Sequence, residues 1–498
     1  MTVEPTVPTA EAVDFPDFFE LENFANEQKR PVVVIQGLGF VGAAMAAAVS
    51  QASQSDGSPL YTVIGVELDS PDGRAKISAV NEGRAPLVST DPKLSRAYES
   101  ATERNNLRAT SDARAYELAD IVVVDIPLDI HKSALGKAQE YDFSYEIFRK
   151  ALTTVCEHIP EGCLVLVETT VPPGTTTKVV LPMLRQSFEA RGLNPHRVLL
   201  AHSYERVMPG SKYLDSIINY YRVFAGIDDA SASKARDFLS SFINTEKYPL
   251  QEMHSVEASE MAKVLENTFR ATNIALIREW SQFAHQAGVN LFQVLDAIRV
   301  RPTHKNIMSP GFGVGGYCLT KDSLLADFAH QELFGGEDSL SMSLNAININ
   351  DMMPLDTVNL VFEGIRRLDL RQPRVALLGV SYLNDVADTR YTPAGLFVEH
   401  LRARNLSVEL HDPIVSYWPE LDEDVKTDLE ASVFSESEVV VVTVRHQEYL
   451  ALTAEDYLGI FPNLKLLVDA NNIVSDAIAS SLRERGILIS GVGKGHWA

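Results

Sequence analysis

Cysteine is scarce. The 498 residues hold three, Cys156, Cys163 and Cys318, too few and too irregularly spaced for a disulfide framework or a thiolate metal cage. A reducing compartment is the simpler setting. Basic charge is also short: 44 Lys and Arg face 67 Asp and Glu, leaving a net charge of -23. That balance argues against nucleic acid or an anionic membrane as a general partner and leaves room for a local basic pocket. No apolar run reaches the roughly 20 residues needed to cross a bilayer. The opening MTVEPTVPTAEAVDFPDFFE is acidic where a secretory signal carries a basic and then an apolar segment. A cytoplasmic protein is expected. Twelve histidines form no ligand-like spacing with Cys, Asp or Glu, so no metal site is expected either. What remains is an ordinary globular composition, 45% apolar and 22% charged, on a chain long enough for about three domains.

Residues 1–30, rich in Pro, Glu and Ala with weak periodicity, read as a flexible or loosely docked extension. Order begins at Pro31. Alternating strand and helix signals then extend to about residue 230, with strands at Val32–Ile35, Tyr61–Val66, Ile121–Val124, Leu164–Val167 and Val198–Ala201. From Ser255 to about Gln286 there is no Gly or Pro, and Val264, Leu265, Thr268, Phe269, Leu276 and Ile277 recur at helical spacing. Residues 231–345 are therefore a helical middle, followed by a connecting helix over 346–370. Strands at Arg374–Gly379, Ser407–Leu410, Val439–Thr443 and Leu466–Asp469 open another βαβ series over 371–498. The expected fold is α/β: two Rossmann-like doubly wound domains joined by a central helical region containing a long helix.

The first strand runs into Gly37-Leu38-Gly39-Phe40-Val41-Gly42, and a helix-compatible stretch follows. In such a turn Gly37 permits the tight bend, Gly39 lets the backbone approach a pyrophosphate, and Gly42 lets the helix lie close to the sheet. Glu67 closes the second strand, where its carboxylate suits ribose hydroxyls and repels a 2′-phosphate. NAD is preferred over NADP on that ground. A tight structural turn without ligand is the alternative, and it has to explain strand, helix and acid together.

The segment Gly311-Phe312-Gly313-Val314-Gly315-Gly316-Tyr317-Cys318 stands immediately before an expected helix, Leu319–Phe328. A thiol near a helix N-terminus is favoured as thiolate, which makes Cys318 a candidate nucleophile, with Asp322 one turn on. Cys156 and Cys163 flank the apolar entry to a strand and fit simple packing. Lys263 and Asn267, four residues apart, share a helix face that suits either an oxyanion or plain solvent. Thr170, just after a strand, is a hydroxyl at a sheet edge or a turn residue.

In this order the segments resemble the nucleotide-sugar 6-dehydrogenase family, the UDP-glucose and UDP-N-acetylhexosamine dehydrogenases, over residues 31–495. The marks are GLGFVG from Gly37, ETTVPPGTT from Glu168, SYERVMPG from Ser203, KVLEN from Lys263 and GFGVGGYCLTKD from Gly311. The resemblance implies oxidation of a sugar C6 from alcohol to carboxylate with two NAD, through a thiohemiacetal and a thioester on Cys318. It further implies Glu205 as base, Lys263 and Asn267 as the oxyanion and water-holding pair, Asp322 as the water-orienting group and Thr170 as an active-site hydroxyl. Cofactor contacts would come from residues 37–42, Glu67, Thr170 and Arg390. Substrate contacts would come from Glu205, Arg206, Val207, Lys263, Asn267, Arg301, His304, Phe312, Gly313 and Gly315. A UDP-linked substrate and a homodimer or higher homo-oligomer are implied, with a neighbour's basic residue, Arg301 or His304, closing the sugar pocket.

Subgroup marks are mixed. Pro209 replaces a second glutamate of UDP-glucose enzymes, and ERVMPG with GVGGYC is similar to the N-acetylhexosamine group, whereas Lys321-Asp322 is similar to the UDP-glucose group. A UDP-N-acetylhexosamine is the expected substrate; UDP-glucose, or a non-catalytic NAD-binding role, is the alternative. Two cations usual in the family are missing, with Leu383 and Asn471 in their places, which points to an altered substrate.

Overall fold

Short valine-rich runs become the parallel strands of two separate sheets in a computed structural model that describes residues 15–87, 89–207 and 210–497. Both sheets carry the Rossmann-like pattern, and a helical region with one long helix, Val256–Gln286, separates them in sequence. No helix among the described residues is long and apolar enough to cross a membrane.

One compact unit runs to Leu128 and resumes over Ser144–Lys263. Its sheet is ordered Gln251–Glu252, Val223–Gly226, Leu199–Tyr204, Leu164–Val167, Ile121–Val124, Val32–Gln36, Thr62–Val66 and Leu107–Thr110. Neighbours are parallel except Leu199–Tyr204 against Val223–Gly226. Helices cover both faces, so all of Val32–Gln36 is buried and Val32–Ile35 reads as an unbroken apolar run. Chain order reverses beside this strand, which opens a crevice at its carboxyl end. The edge strand Leu107–Thr110 was not expected; its Arg108 and Thr110 break the apolar signal.

The N-terminal extension also differs from expectation. Phe18–Gln28 is a helix capped by Asp17 and Glu20, which bond reciprocally, and it buries Leu21, Phe24 and Ala25. The Arg114 guanidinium lies 4.7 Å from the centre of the Phe18 ring, and the Phe18 amide donates to Asp112 at 3.2 Å. Spacings of three and four residues among few apolar side chains suffice here because the surface that receives them is supplied by the sheet unit. The rest of the expected extension, residues 1–14, and Pro209 lie outside the described residues.

The second compact unit comprises Asp129–Phe143 and the chain from Val264 onward. The hairpin Ile130–Lys132 with Tyr141–Phe143 thus belongs with the helical middle, not with the first sheet where its sequence position suggested. Lys132 Nζ holds the Asp351 carboxylate at 2.6 Å, and Ala138 donates to Asn348 at 2.6 Å. Within the long helix, Val264, Ala271 and Ile277 are buried, whereas Leu265, Phe269, Leu276, Trp280 and Phe283 are exposed. The expected single connecting helix is two, Ser341–Asp351 and Pro354–Arg367, because Pro354 cannot donate into a preceding turn. The C-terminal sheet is parallel throughout, in the order Val408–His411, Arg374–Leu378, Ser437–Val442, Leu466–Asp469 and Leu488–Gly491.

In the first unit the turn after Leu164–Val167 is pinned to the long helix by one buried carboxylate. Glu260 accepts from the Gly174 amide at 2.6 Å and the Thr176 amide at 2.8 Å. Glu260→Ala orphans both donors, with an expected loss of about 3 kcal/mol, read as a lower urea midpoint. Burial pushes the Glu260 carboxyl up to about 7. The folded protein therefore holds this proton more tightly than the unfolded chain, and ionisation costs stability as pH rises from about 4.5 to about 7. The gap between wild type and variant is expected to narrow across that window.

Candidate functional site

Glycine governs the crevice of the first unit. Gly37 has φ of +89°, and a Cβ there would stand 2.9 Å from the Asp125 carbonyl oxygen. A Cβ on Gly42 would stand 1.9 Å from the Gly37 carbonyl oxygen, so turn and helix meet backbone to backbone. Gly39 is different: nothing lies within 4 Å of its Cβ position, and it caps helix Phe40–Gln51 without any side-chain bond. An open space before an uncapped helix N-terminus suits a diphosphate. Leu38 is buried and its amide donates to Glu67 Oε2 at 2.9 Å, while Leu68 donates to Oε1 at 3.0 Å. The acid is thereby fixed at the end of its strand. Phe40 accepts at its carbonyl from the Tyr213 hydroxyl, and Val41 packs on the core. These residues fit NAD.

Three carboxylates stand at the carboxyl edge of neighbouring strands in this unit: Asp125 after Val124, Glu168 after Val167 and Glu205 after Tyr204. Glu168 pairs with Arg222, both fully buried. Glu205 receives the Val207 amide; Lys263 Nζ donates to the Glu205 carbonyl at 2.7 Å and lies 3.5 Å from its carboxylate. Arg206 is turned onto the Tyr221 carbonyl at 2.6 Å and the Tyr204 hydroxyl at 3.0 Å, and Val207 packs against the core. Thr170 is half-buried just beyond Glu168. Asp125 is 9% exposed and neither carboxylate oxygen has a hydrogen-bond partner among the described residues. Burial, and then the negative charge of Glu205, push it well above the usual carboxylate range, against the pull of Arg222. Sequence reading passed over Asp125; the available signal was an acid placed directly on an otherwise unbroken valine strand.

In the second unit the glycine loop, expected to contact substrate, is a packing surface. A Cβ on Gly313 would stand 2.5 Å from Pro393, one on Gly315 2.7 Å from Tyr382, and one on Gly316 2.6 Å from the Tyr382 ring. Phe312 is buried against Phe397, so its ring serves the C-terminal core. The following helix is Asp322–Phe328, shorter than expected, and Cys318 lies in the turn before it. The Cys318 thiol is exposed, and its carbonyl accepts from Asp322 at 3.0 Å and Lys321 at 3.2 Å. Asn267 Nδ2 donates to Asp322 Oδ2 at 2.6 Å; the other Asp322 oxygen has no hydrogen-bond partner among the described residues and lies 3.5 Å from Lys321 Nζ. A buried carboxylate with one unused oxygen can orient a water. Cys156 and Cys163 are buried, which pushes both thiols up to about 12, so they are inert.

The Arg390 guanidinium is bidentate on Asp388, at 2.7 Å and 3.0 Å, and its carbonyl accepts from Gly316. Arg301 and His304 are exposed, in and beside the short turn Pro302–His304. Neither lines the open cavity of about 450 Å³ beside the long helix, which is formed by Phe269, Arg270, Arg299, Lys305 and Met308 among others.

The doubly wound sheet, the glycine turn fitted to a dinucleotide and the exposed thiol together define an NAD-dependent oxidoreductase. Family-wide sequence profiles match all three regions: the NAD binding domain over residues 31–242, the central domain over 257–351 and the UDP binding domain over 376–476. The chain belongs to the UDP-glucose/GDP-mannose dehydrogenase family and is an NAD-dependent nucleotide-sugar dehydrogenase. It is 28% identical to UDP-N-acetyl-D-mannosamine dehydrogenase of Pyrococcus horikoshii over 93% of this chain and 99% of the relative. The solved structure of the Pyrococcus horikoshii enzyme has a TM-score of 0.76 over 93% of this chain and 100% of that one, at 27% identity. An NDP-N-acetyl-D-galactosaminuronic acid dehydrogenase from Methanosarcina mazei has a TM-score of 0.78 at 26% identity, covering 96% and 98% of the two chains.

Asp125 supplies a test of the charge balance in the first unit. Its folded-state pKa is raised, so the native protein retains this proton where the unfolded chain has released it. Stability is lost through this group as pH rises above the ordinary carboxylate range. Asp125→Asn, which cannot ionise, is expected to match wild type near pH 4 and to become increasingly more stable by pH 8 in thermal melts. A constant offset at all pH values would place a carboxylate, not a carboxylic acid, at this position.

Proposed function

We propose that the protein oxidises the C6 hydroxyl of a UDP-N-acetylhexosamine to the uronate in two successive two-electron steps through Cys318. The observation that carries this reading is the exposed Cys318 thiol on a turn locked by Asp322, with Asn267 bonded to the same aspartate. Similarity along nearly the whole chain to enzymes named for UDP-N-acetyl-D-mannosamine supports the substrate class. The nicotinamide cofactor, when bound, accepts the hydride of each step.

Glu205 is the general base, acting directly or through water on the C6 hydroxyl, with the Lys263 ammonium 3.5 Å away. Cys318 adds as thiolate to the resulting aldehyde, forming a C–S bond and an alkoxide that is protonated to the thiohemiacetal. Lys263 and Asn267 stabilise that oxyanion. Loss of the second hydride gives the thioester. A water oriented by Asp322 then breaks the C–S bond, leaving the carboxylate and a free thiol. Thr170 supplies a hydroxyl to the site and Arg390 a charge for the cofactor phosphates. Arg206, Val207, Gly313 and Gly315 hold substrate through backbone, since the Arg206 side chain is committed to Tyr221 and Tyr204.

NADH release with UDP-N-acetylmannosamine, UDP-N-acetylglucosamine, UDP-N-acetylgalactosamine, UDP-glucose and GDP-mannose tests the substrate. The expected result is two NADH and one new carboxylate per N-acetylhexosamine. UDP-glucose as best substrate by a wide margin would instead favour the Lys321-Asp322 reading. Cys318→Ser is expected to lower net acid formation about a thousandfold or more; a variant still yielding two NADH per sugar would remove the thiol from the mechanism.

We further propose a homodimer built on the long helix. Met261, Leu265, Phe269, Leu276, Trp280 and Phe283 are all exposed and fall on one stripe of Val256–Gln286, an apolar surface that a second copy would cover. Arg301 and His304 are the candidates for a basic group given to the neighbour's sugar pocket. Phe269→Glu combined with Trp280→Glu is expected to convert the dimer to monomer in sedimentation velocity, whereas retention of the wild-type coefficient would exclude this stripe.

A further inference from the structure

Asn471 was expected to leave the C-terminal domain short of a cation. In the fold, a cation comes to it from the adjacent strand. Arg445 follows Ser437–Val442 and Asn471 follows Leu466–Asp469, so both sit at the carboxyl end of neighbouring parallel strands, where doubly wound sheets bind ligands. Arg445 Nη1 donates to the Asn471 carbonyl at 3.2 Å and also to the Asn472 carbonyl. The acceptors are themselves fixed: Asn471 Nδ2 donates to the Thr443 carbonyl at 3.0 Å, its amide donates to Asp469 at 3.0 Å, and Asn472 is left-handed with φ of 54°. Asn471 Oδ1 in turn stands 3.0 Å from the Cβ position of Gly311, the residue that opens the loop leading to Cys318.

Other cations in this part of the sheet are committed. Lys494 is buried, donates to the Val474 carbonyl at 3.2 Å and lies 4.2 Å from the centre of the Trp497 ring, with Asp469 as its counter-charge. Arg390 is held by Asp388. Arg445 is half-buried and makes no ion pair among the described residues; its charge rests on two carbonyls through one of its three nitrogens. A planar guanidinium fixed on one side and uncompensated in charge is suited to a phosphate oxygen.

We propose that Arg445 is a specificity-determining residue for the nucleotide sugar, binding the diphosphate of the UDP moiety from the position beside Asn471. This rests on the nucleotide-sugar reading above. The chain has moved the cation to a neighbouring strand, so the charge absent at position 471 in sequence is present beside it in space.

Calorimetric titration of the full chain with UDP, and separately with uridine, tests the assignment. Arg445→Met is expected to weaken UDP binding at least tenfold, about 1.4 kcal/mol, and to leave uridine binding and NAD binding unchanged. Arg445→Lys is expected to recover part of the loss. The double variant Arg445→Met with Asn471→Arg is expected to recover more, because it returns a guanidinium to the same edge of the sheet. Equal UDP affinity in wild type and Arg445→Met, with the wild type turning over a UDP sugar, overturns the role of Arg445 and leaves the function standing. A wild-type chain that neither binds UDP nor reduces NAD with any nucleotide sugar overturns both. Should Arg445→Met melt earlier than wild type, the other two variants decide: UDP affinity recovered in part by Arg445→Lys and further by the double variant supports a diphosphate-binding cation, and no recovery in either at a wild-type melting temperature counts against it.

Discussion

Backbone has to come closer to backbone in this protein than any side chain allows, and glycine sets where that happens. In the first unit the helix after the opening strand reaches the turn only because Gly42 leaves the Gly37 carbonyl unobstructed, at 1.9 Å from where a Cβ would be. Packing takes up Gly37 and Gly42, and only Gly39 faces open space. The turn therefore divides its three glycines between architecture and ligand. In the second unit Gly313, Gly315 and Gly316 all meet the segment from Tyr382 to Pro393. There glycine lets two loops interlock, and the interlock positions the turn that presents Cys318. On the proposed mechanism, a rigid backbone holding an exposed thiol would cost little reorganisation during reaction.

The carboxyl edge of the first sheet carries a charge arrangement that stability alone would not select. Asp125, Glu168 and Glu205 end strands or follow them directly, and Arg222 and Lys263 are the cations that face them. Arg222 is fully buried and paired with Glu168, while Lys263 is shared between the carbonyl and carboxylate of Glu205. One acid is left over. Burial decides which: among the described residues Asp125 has no hydrogen-bond partner to repay the desolvation of a charge, which pushes its proton affinity up. Glu205 retains a cation and an amide as partners. A buried acid with a raised proton affinity at a sheet's carboxyl edge is a mark of chemistry.

Strands buried on both faces were legible because they read as unbroken valine and leucine: Val32–Gln36, Ile121–Val124, Leu164–Val167 and Leu466–Asp469 all appear within a residue or two of expectation. The long helix was legible for the same reason, an uninterrupted apolar period without Gly or Pro. Elements that depend on a partner surface were not. Phe18–Gln28 shows few apolar residues and is held by Arg114, Asp112 and the core beneath. Hairpin Ile130–Lys132 with Tyr141–Phe143 owes its place to Asp351 and Asn348, more than 200 positions away in the chain. Within the candidate site, residue types that carry reactivity stood out in order, whereas the reasons for the glycines did not. Gly313 and Gly315 were expected only as substrate contacts, because sequence shows the absence of a side chain, not the Pro393 and Tyr382 side chains that fill the space.

Departures from a family pattern are judged differently once strands are placed side by side. Leu383 does leave its own position without a cation, and that stretch of the loop is held by Asp412, which accepts from Val380 and Ser381 at 3.0 Å, and by His446, which accepts from the Asp385 amide at 3.0 Å. Its shape is thus maintained without the lysine, and only the charge is gone. At Asn471 the opposite holds: the side chain has lost its charge, but a guanidinium is anchored on its carbonyl from the next strand. Parallel strands bring together residues more than twenty positions apart at every carboxyl edge, so a charge can pass from one strand end to another while the edge keeps its net potential. If Arg445 acts as proposed, the change at Leu383 is the one that alters what the C-terminal domain offers its ligand. On that proposal, the substrate places less negative charge, or more apolar surface, against that loop.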